Sequence, residues 1–251
     1  MLVTHDDHAL ASRVAAEAGE LLIDLRRRLT SEGVSARTLK DAGDAEAHEL
    51  IVRLLTEARP GDAVLSEEGA ADPARLDHQR VWIVDPLDGT REFGEVPRTD
   101  WAVHVALVVD GSPVAGAVAL PARQLTLGTE PAPDPPPAPR GAPRVVVSRS
   151  RPPYEAVRIA DAIGGELVPL GSAGAKAMAV VLGDADVYAH SGGQYEWDSA
   201  APVAVARAAG LHASRLDGSP LVYNQPNPYL PDLLICRPEL ADDVIAAVGY
   251  D

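Results

Sequence analysis

The chain has 251 residues, 46% hydrophobic and 24% charged, a composition that suits one large core or two modest ones and excludes a fibre or a disordered polymer. Its net charge of −15 argues against a nucleic-acid surface, which needs clustered Lys and Arg. No apolar run approaches the roughly 20 residues of a membrane span, and the start, MLVTHDDHAL, lacks the basic and apolar segments of a signal peptide, so a cytoplasmic protein without membrane contact is expected.

Between Asp7 and Leu29 the apolar positions Leu10, Val14, Ala18, Leu21, Leu22 and Leu25 recur at helical spacing, predicting a long amphipathic helix. A second helix is expected from Asp44, which reads as its N-cap, through Leu50, Ile51, Leu54 and Leu55 to the stop at Pro60-Gly61. The period then changes. Short strands are predicted at 63–66, 81–84, 102–109, 113–120 and 124–127, with Asp110-Gly111 as a hairpin turn. The first half, residues 1–130, therefore reads as α+β with a largely antiparallel sheet.

Residues 131–143, PAPDPPPAPRGAP, can enter neither helix nor ladder and read as an extended linker. Beyond it, residues 144–251 alternate: strand 144–148, helix 153–163, strand 166–168, helix 175–182, strand 185–189, helix 199–209, strands 221–223 and 233–236, and a helix over 238–248. Such alternation predicts an α/β second half. The single cysteine, Cys236, cannot form an internal disulfide, which suits a reducing compartment. The seven histidines show no ligand spacing and read as structural or surface residues.

Acidic segments fall where strands end: Ser66-Glu67-Glu68, Asp85-Pro-Leu-Asp88-Gly-Thr90, and Glu196-Trp-Asp198 before a helix. Carboxylates that converge on one cleft repel each other unless divalent cations or shared protons intervene, and hard oxygen donors in this number point to Mg²⁺. Pro86 helps turn the chain so that Asp85 and Asp88 both aim at metal, with the Leu87 carbonyl as a further oxygen donor. Gly89 permits close backbone approach, and Thr90 offers a hydroxyl. If Thr90 opens a helix, its free N–H groups suit a phosphate. Each segment taken alone also reads as a solvated turn, a surface pair or a helix cap.

Together, SEEG at Ser66, WIVDPLDGTREF from Trp82 to Phe93, GSAGAKAM from Gly171 to Met178 and WDSAAP from Trp197 to Pro202 resemble the inositol monophosphatase superfamily across nearly the whole chain. The DGTREF ending is similar to the CysQ branch, the 3′(2′),5′-bisphosphate nucleotidases. The resemblance implies an α/β fold, a layered αβαβα sandwich of the inositol monophosphatase and fructose-1,6-bisphosphatase type, with lithium sensitivity. It implies two Mg²⁺ ions, one on Glu67, Asp85 and the Leu87 carbonyl and one on Asp85, Asp88 and Asp198, with a third, weaker ion near Glu67 common in the family. Asp44 matches the carboxylate that acts with Thr90 on the attacking water.

Only two of the 22 basic residues are lysines, Lys40 and Lys176. Lys176 lies in a Ser/Gly-rich turn opening a helix, where it and Ser172 suit a second phosphate; a surface lysine is the alternative. Lys40 is a weaker candidate, and Arg91 reads equally as a phosphate contact or as a partner of Glu92 or Glu95. Tyr195 and Trp197 flank Glu196 beside Asp198 and suggest a base-stacking wall, with core packing favoured for Trp197. Pro202 is tolerated best in a first helical turn. The implied activity is removal of the 3′-phosphate from 3′-phosphoadenosine 5′-phosphate, a by-product of sulfate activation, with inositol phosphate or fructose 1,6-bisphosphate as alternative substrates. A catalytically silent phospholigand-binding protein is the reading from another class. The partner is a small bisphosphate nucleotide, and a homodimer is left open.

Overall fold

The structure is a computed structural model that describes residues 3–70, 72–139 and 141–249. Helices α1 (His5–Ser31) and α2 (Ala36–Ala58) precede a sheet of β1 (Ala63–Ser66), β2 (Arg80–Asp88), β3 (Ala102–Val109), β4 (Ser112–Leu120) and β5 (Leu125–Gly128), with the short α3 (Thr90–Gly94) between β2 and β3. Its order is β1-β2-β3-β4-β5; β1 runs parallel to β2 and the other pairs are antiparallel. Asp110 and Gly111 turn the β3–β4 hairpin with φ of 50° and 78°, as a primed two-residue turn requires.

The second half contributes β6 (Arg144–Ser148), α4 (Tyr154–Ile163), β7 (Glu166–Leu170), α5 (Ala173–Val181), β8 (Val187–Tyr195), α6 (Glu196–Ala208), β9 (His212–Ser214), β10 (Tyr229–Cys236) and α7 (Ala241–Val248). The strand order is β7-β6-β8-β10-β9, parallel through β7, β6 and β8 and antiparallel around β10.

Side-chain alternation along the strands sets the layers. Trp82 and Val84 of β2 pack with Leu10, Val14, Leu22 and Ile51 of α1 and α2, while Val81 and Ile83 face Met178, Val180, Val203 and Val205 of α5 and α6. The far side of α5 and α6 meets Val146, Tyr188, Leu233 and Ile235 of the second sheet, whose other face, Val145, Val147, Val187 and Leu234, is covered by α4 and α7. The result is helices, sheet, helices, sheet, helices. Of the proline-rich run, residues 131–139 cross between the sheets without regular structure.

Several boundaries differ from the sequence expectation. Helix α2 starts at Ala36, not Asp44, because Ser35 caps it by accepting from Thr38 N at 3.1 Å; Asp44 lies inside the helix. Helix α6 starts at Glu196, since Asp198 accepts from Tyr195 N at 2.7 Å and closes the first turn, so Pro202 stands beyond that turn. Residues 221–223 are not a strand: Leu221 and Tyr223 are buried, but Tyr223 N bonds only the turn at Gly111 O, 2.9 Å. Strand β8 runs on to Tyr195, β10 begins at Tyr229, and β9 was not anticipated.

One buried ionic network ties the first half together. Asp7 accepts from Arg59 at 2.8 Å and Arg80 at 3.0 Å, and Arg80 reaches Asp62 at 2.8 Å, which also accepts from Trp82 Nε1 at 2.9 Å. The Asp7 carboxyl lies well below the ordinary range, because bonds from Arg80, Thr4 N and Arg59 outweigh the burial that would raise it. A depressed folded-state pKa stabilises above the unfolded value of about 4 and is lost as pH falls through the folded one. Asp7→Asn is therefore expected to cost about 3 kcal/mol at pH 7 in urea melts, and to flatten the loss of stability below about pH 4. Equal melts would show that Arg80 needs only Asp62.

Candidate metal and phosphate site

Parallel β1 and β2 end side by side, bringing Glu67 next to Asp85. The β2–β3 register breaks between Asp85 and Asp88, so the strand bulges: Leu87 N donates to Asp85 Oδ1 at 3.0 Å and Thr90 Oγ1 donates to Leu87 O at 3.1 Å. Gly89, at φ +83°, turns the chain into α3. Asp198 arrives from the first turn of α6. Ligand oxygens of Asp85, Asp88 and Asp198 lie within 4.8 Å of one another, and Glu67 stands at the solvent edge of the group.

The carboxylates are unequally compensated. Burial, then Glu67, Asp88 and Asp198, drive the Asp85 carboxyl far above its usual range; burial and then Asp198 raise Glu67, and burial and then Asp88 raise Asp198. Asp88 goes the other way. Burial alone would raise it, but His104, Ser172 and Lys176 hold it low. Its Oδ1 accepts from Ala173 N at 3.0 Å and its Oδ2 from Gly174 N at 2.6 Å and from Ser172 Oγ, so Asp88 caps α5. His104 Nε2 stands 3.3 Å from Asp88 Oδ2 and its Nδ1 pairs with Trp197 O at 3.0 Å. A Cβ on Gly174 would fall 2.0 Å from His104 Nε2, so that contact demands glycine.

Asp44 reaches the site from α2, where Gly43 packs against Leu87 and Phe93. Thr90 Oγ1 stands 3.4 Å from Asp44 Oδ1, and burial, then Glu68, push the Asp44 carboxyl up to about 6. Arg26 of α1 braces α3 from behind, donating to Glu92 O at 3.1 Å and Arg98 O at 2.7 Å.

The proposed phosphate contacts divide. Ser172 and Lys176 are buried: the Ser172 hydroxyl serves Asp88, and Lys176 Nζ donates to Ser172 O at 2.5 Å and sits 5.4 Å from the Tyr188 ring. Lys176 is thus no surface lysine; burial lowers its pKa, against Asp88, Glu92 and Asp198. Lys40 lays its stem on Gly94, one helical turn from Asp44. Glu92 and Glu95 pair with Arg149, each at 2.7 Å, not with Arg91, which is exposed. Tyr195 stacks on Trp197, centroids 4.8 Å apart.

Glu196 does not join the carboxylates; it accepts from Asn224 N at 2.7 Å and Gln225 N at 2.8 Å. His104, read from sequence as structural or surface, belongs to the site. The signal for it was a lone imidazole in the apolar run of β3, the strand that pairs it with Asp85 of β2.

The donors fit magnesium: carboxylates and a backbone carbonyl, hard oxygen atoms, with Asp85 buried and crowded by Glu67, Asp88 and Asp198. The fold and this acidic centre define a class, and the chain belongs to the inositol monophosphatase family, which matches residues 5–130 and 145–248. It is 50% identical over 262 residues to 3′-phosphoadenosine 5′-phosphate phosphatase of Mycobacterium leprae, covering 96% of this chain and 93% of that protein. It is 34% identical over 213 residues to 3′(2′),5′-bisphosphate nucleotidase CysQ of Escherichia coli K12, covering 75% and 81%. Among solved structures, CysQ from Bacteroides thetaiotaomicron superimposes with a TM-score of 0.79 at 28% identity, covering 94% of this chain and 99% of that one. Inositol monophosphatase II from Staphylococcus aureus shares the fold, with a TM-score of 0.79 at 20% identity and 96% of each chain covered.

Proposed function

We propose that the protein is a Mg²⁺-dependent phosphomonoesterase that converts 3′-phosphoadenosine 5′-phosphate to AMP and phosphate. The observation that carries this is the meeting of Asp85, Asp88 and Asp198, from two different halves of the chain, within 4.8 Å; the relatives named above supply the substrate.

Glu67, Asp85, the Leu87 carbonyl, Asp88 and Asp198 would hold two ions, with a third near Glu67. Bound magnesium supplies positive charge to the phosphoryl oxygens, to the water and to the leaving oxygen. The chain's own residues do the rest. Thr90 orients the water beside Asp44, and ionised Asp44 takes its proton as the new phosphorus–oxygen bond forms. The bond from phosphorus to the ribose 3′ oxygen breaks as that oxygen takes a proton from solvent water. Gly89, Thr90 and Arg91 hold the transferred phosphate, and Lys40 stands on the same side. Ser172 and Lys176 fix Asp88 from beneath while Lys176 adds positive charge toward a second phosphate, and Tyr195 flanks the nucleoside.

Removal of a by-product of sulfate activation in the cytoplasm and lithium sensitivity accompany this reading. Among the described residues no helix is long and apolar enough to cross a membrane. Measured kcat/KM should favour 3′-phosphoadenosine 5′-phosphate over inositol 1-phosphate and fructose 1,6-bisphosphate by at least about tenfold, roughly 1.4 kcal/mol of transition-state discrimination. A preference for either competitor would overturn it.

A further inference from the structure

Among the described residues the rings of Trp82, Trp101, Phe93, Tyr188 and Tyr223 are at most 1% exposed, while Tyr154, on α4, is 71% exposed. Tyr195 and Tyr229 are 42% and 44% exposed, and they lie together. They are direct partners across the β8–β10 ladder, with ring centroids 6.0 Å apart and planes at 84°. The opposite neighbour of Tyr195 is Trp197, parallel to within 7° at 4.8 Å, and Trp197 packs against the central core. Aromatic surface left in water is unfavourable, and at this corner two exposed rings are gathered against a third.

The cluster is held rigidly and close to the acidic centre. Tyr195 N donates to Asp198 Oδ2 at 2.7 Å, so the ring belongs to the residue whose own backbone braces a metal ligand. Glu196 N donates to Pro228 O at 2.8 Å, fixing the segment that carries Tyr229 against the start of α6. A flat heteroaromatic ring gains from a preset π-face without ordering cost to the protein. A sugar phosphate with no base gains nothing from it.

We propose that Tyr195 and Tyr229, backed by Trp197, form the platform on which the nucleobase of the substrate stacks, which makes this corner the determinant of nucleotide over base-free phosphates. The proposal rests on the phosphatase reading above. Tyr229 carries no motif signal in the sequence, and only the strand pairing brings it to Tyr195.

Two comparisons test it. In the first, kcat/KM is measured for 3′-phosphoadenosine 5′-phosphate and for an abasic ribose bisphosphate carrying the same two phosphates. Tyr195→Ala and Tyr229→Ala should each lower the nucleotide value about tenfold, through KM, and leave the abasic value unchanged, while Tyr195→Phe and Tyr229→Phe retain both. Loss on both substrates alike, or on neither, overturns the platform. In the second, AMP binding is followed by calorimetry with no turnover required: the alanine variants should bind about tenfold more weakly. Undiminished AMP affinity overturns the platform even in an active enzyme. Weakened affinity in a protein that releases no phosphate upholds the platform and sinks the phosphatase reading instead.

Discussion

Asp85→Asn is expected to abolish phosphate release and, in the same protein stripped of metal by a chelator, to raise the melting temperature. Asp85 is 1% exposed and surrounded by Glu67, Asp88 and Asp198. Its raised carboxyl pKa means that the folded state holds the ionised form poorly, a contribution that favours the fold at low pH and is lost as pH rises through the folded value. An amide removes that charge while its oxygen still accepts from Leu87 N, now 3.0 Å away. Relief of about 1 kcal/mol corresponds to roughly 2–4 °C in a chain of this size. Activity goes because a carboxylate proposed to hold the magnesium is lost; several kcal/mol of transition-state stabilisation corresponds to about 10³-fold or more. Added Mg²⁺ should raise the melting temperature of the wild type and do little for the variant. A chelated variant that melts below the chelated wild type would show that Asp85 is not under repulsion.

The second large effect is at Asp44. Asp44→Asn should lower kcat by about 10²–10⁴-fold, the usual contribution of a positioned base, and erase the acid limb of the pH profile. In the wild type log kcat/KM should rise with pH up to a limb at or below about 6, since burial pushes the carboxyl up to about 6 and nearby cations pull it back down. Stability runs in the opposite sense. A raised pKa favours the fold below the unfolded value and loses that advantage as pH climbs past 6, so the variant should be no less stable at pH 7. A variant that retains the limb would assign the proton transfer to another group.

How far the sequence carries can be seen residue by residue. DPLDGT and WDSAAP mark strand and helix ends by local chemistry, and that chemistry is what assembles the carboxylates; the period-two apolar runs likewise give the layers of the first sheet. The start of α2 was not legible, because Ser35 and Asp44 are both good cap residues, and it is Ser35 that accepts from Thr38 N, leaving Asp44 inside the helix. His104 was hidden by an apolar strand whose partner Asp85 is set by non-local pairing. The scarcity of lysine drew notice to Lys176, but its burial beneath Asp88 depends on how α5 enters between two sheets. Tyr229, far from any motif, was invisible for the same reason.

Asp88 does two jobs at once, standing with Asp85 and Asp198 in the acidic group while its oxygens hold the first amides of α5 beside His104. Neutralising it would loosen the central helical layer as well as silence the chemistry, so its loss cannot be read as a purely chemical defect. An inert yet well-folded form for trapping an intact substrate is better made at Asp85, where no helix depends on the charge being removed.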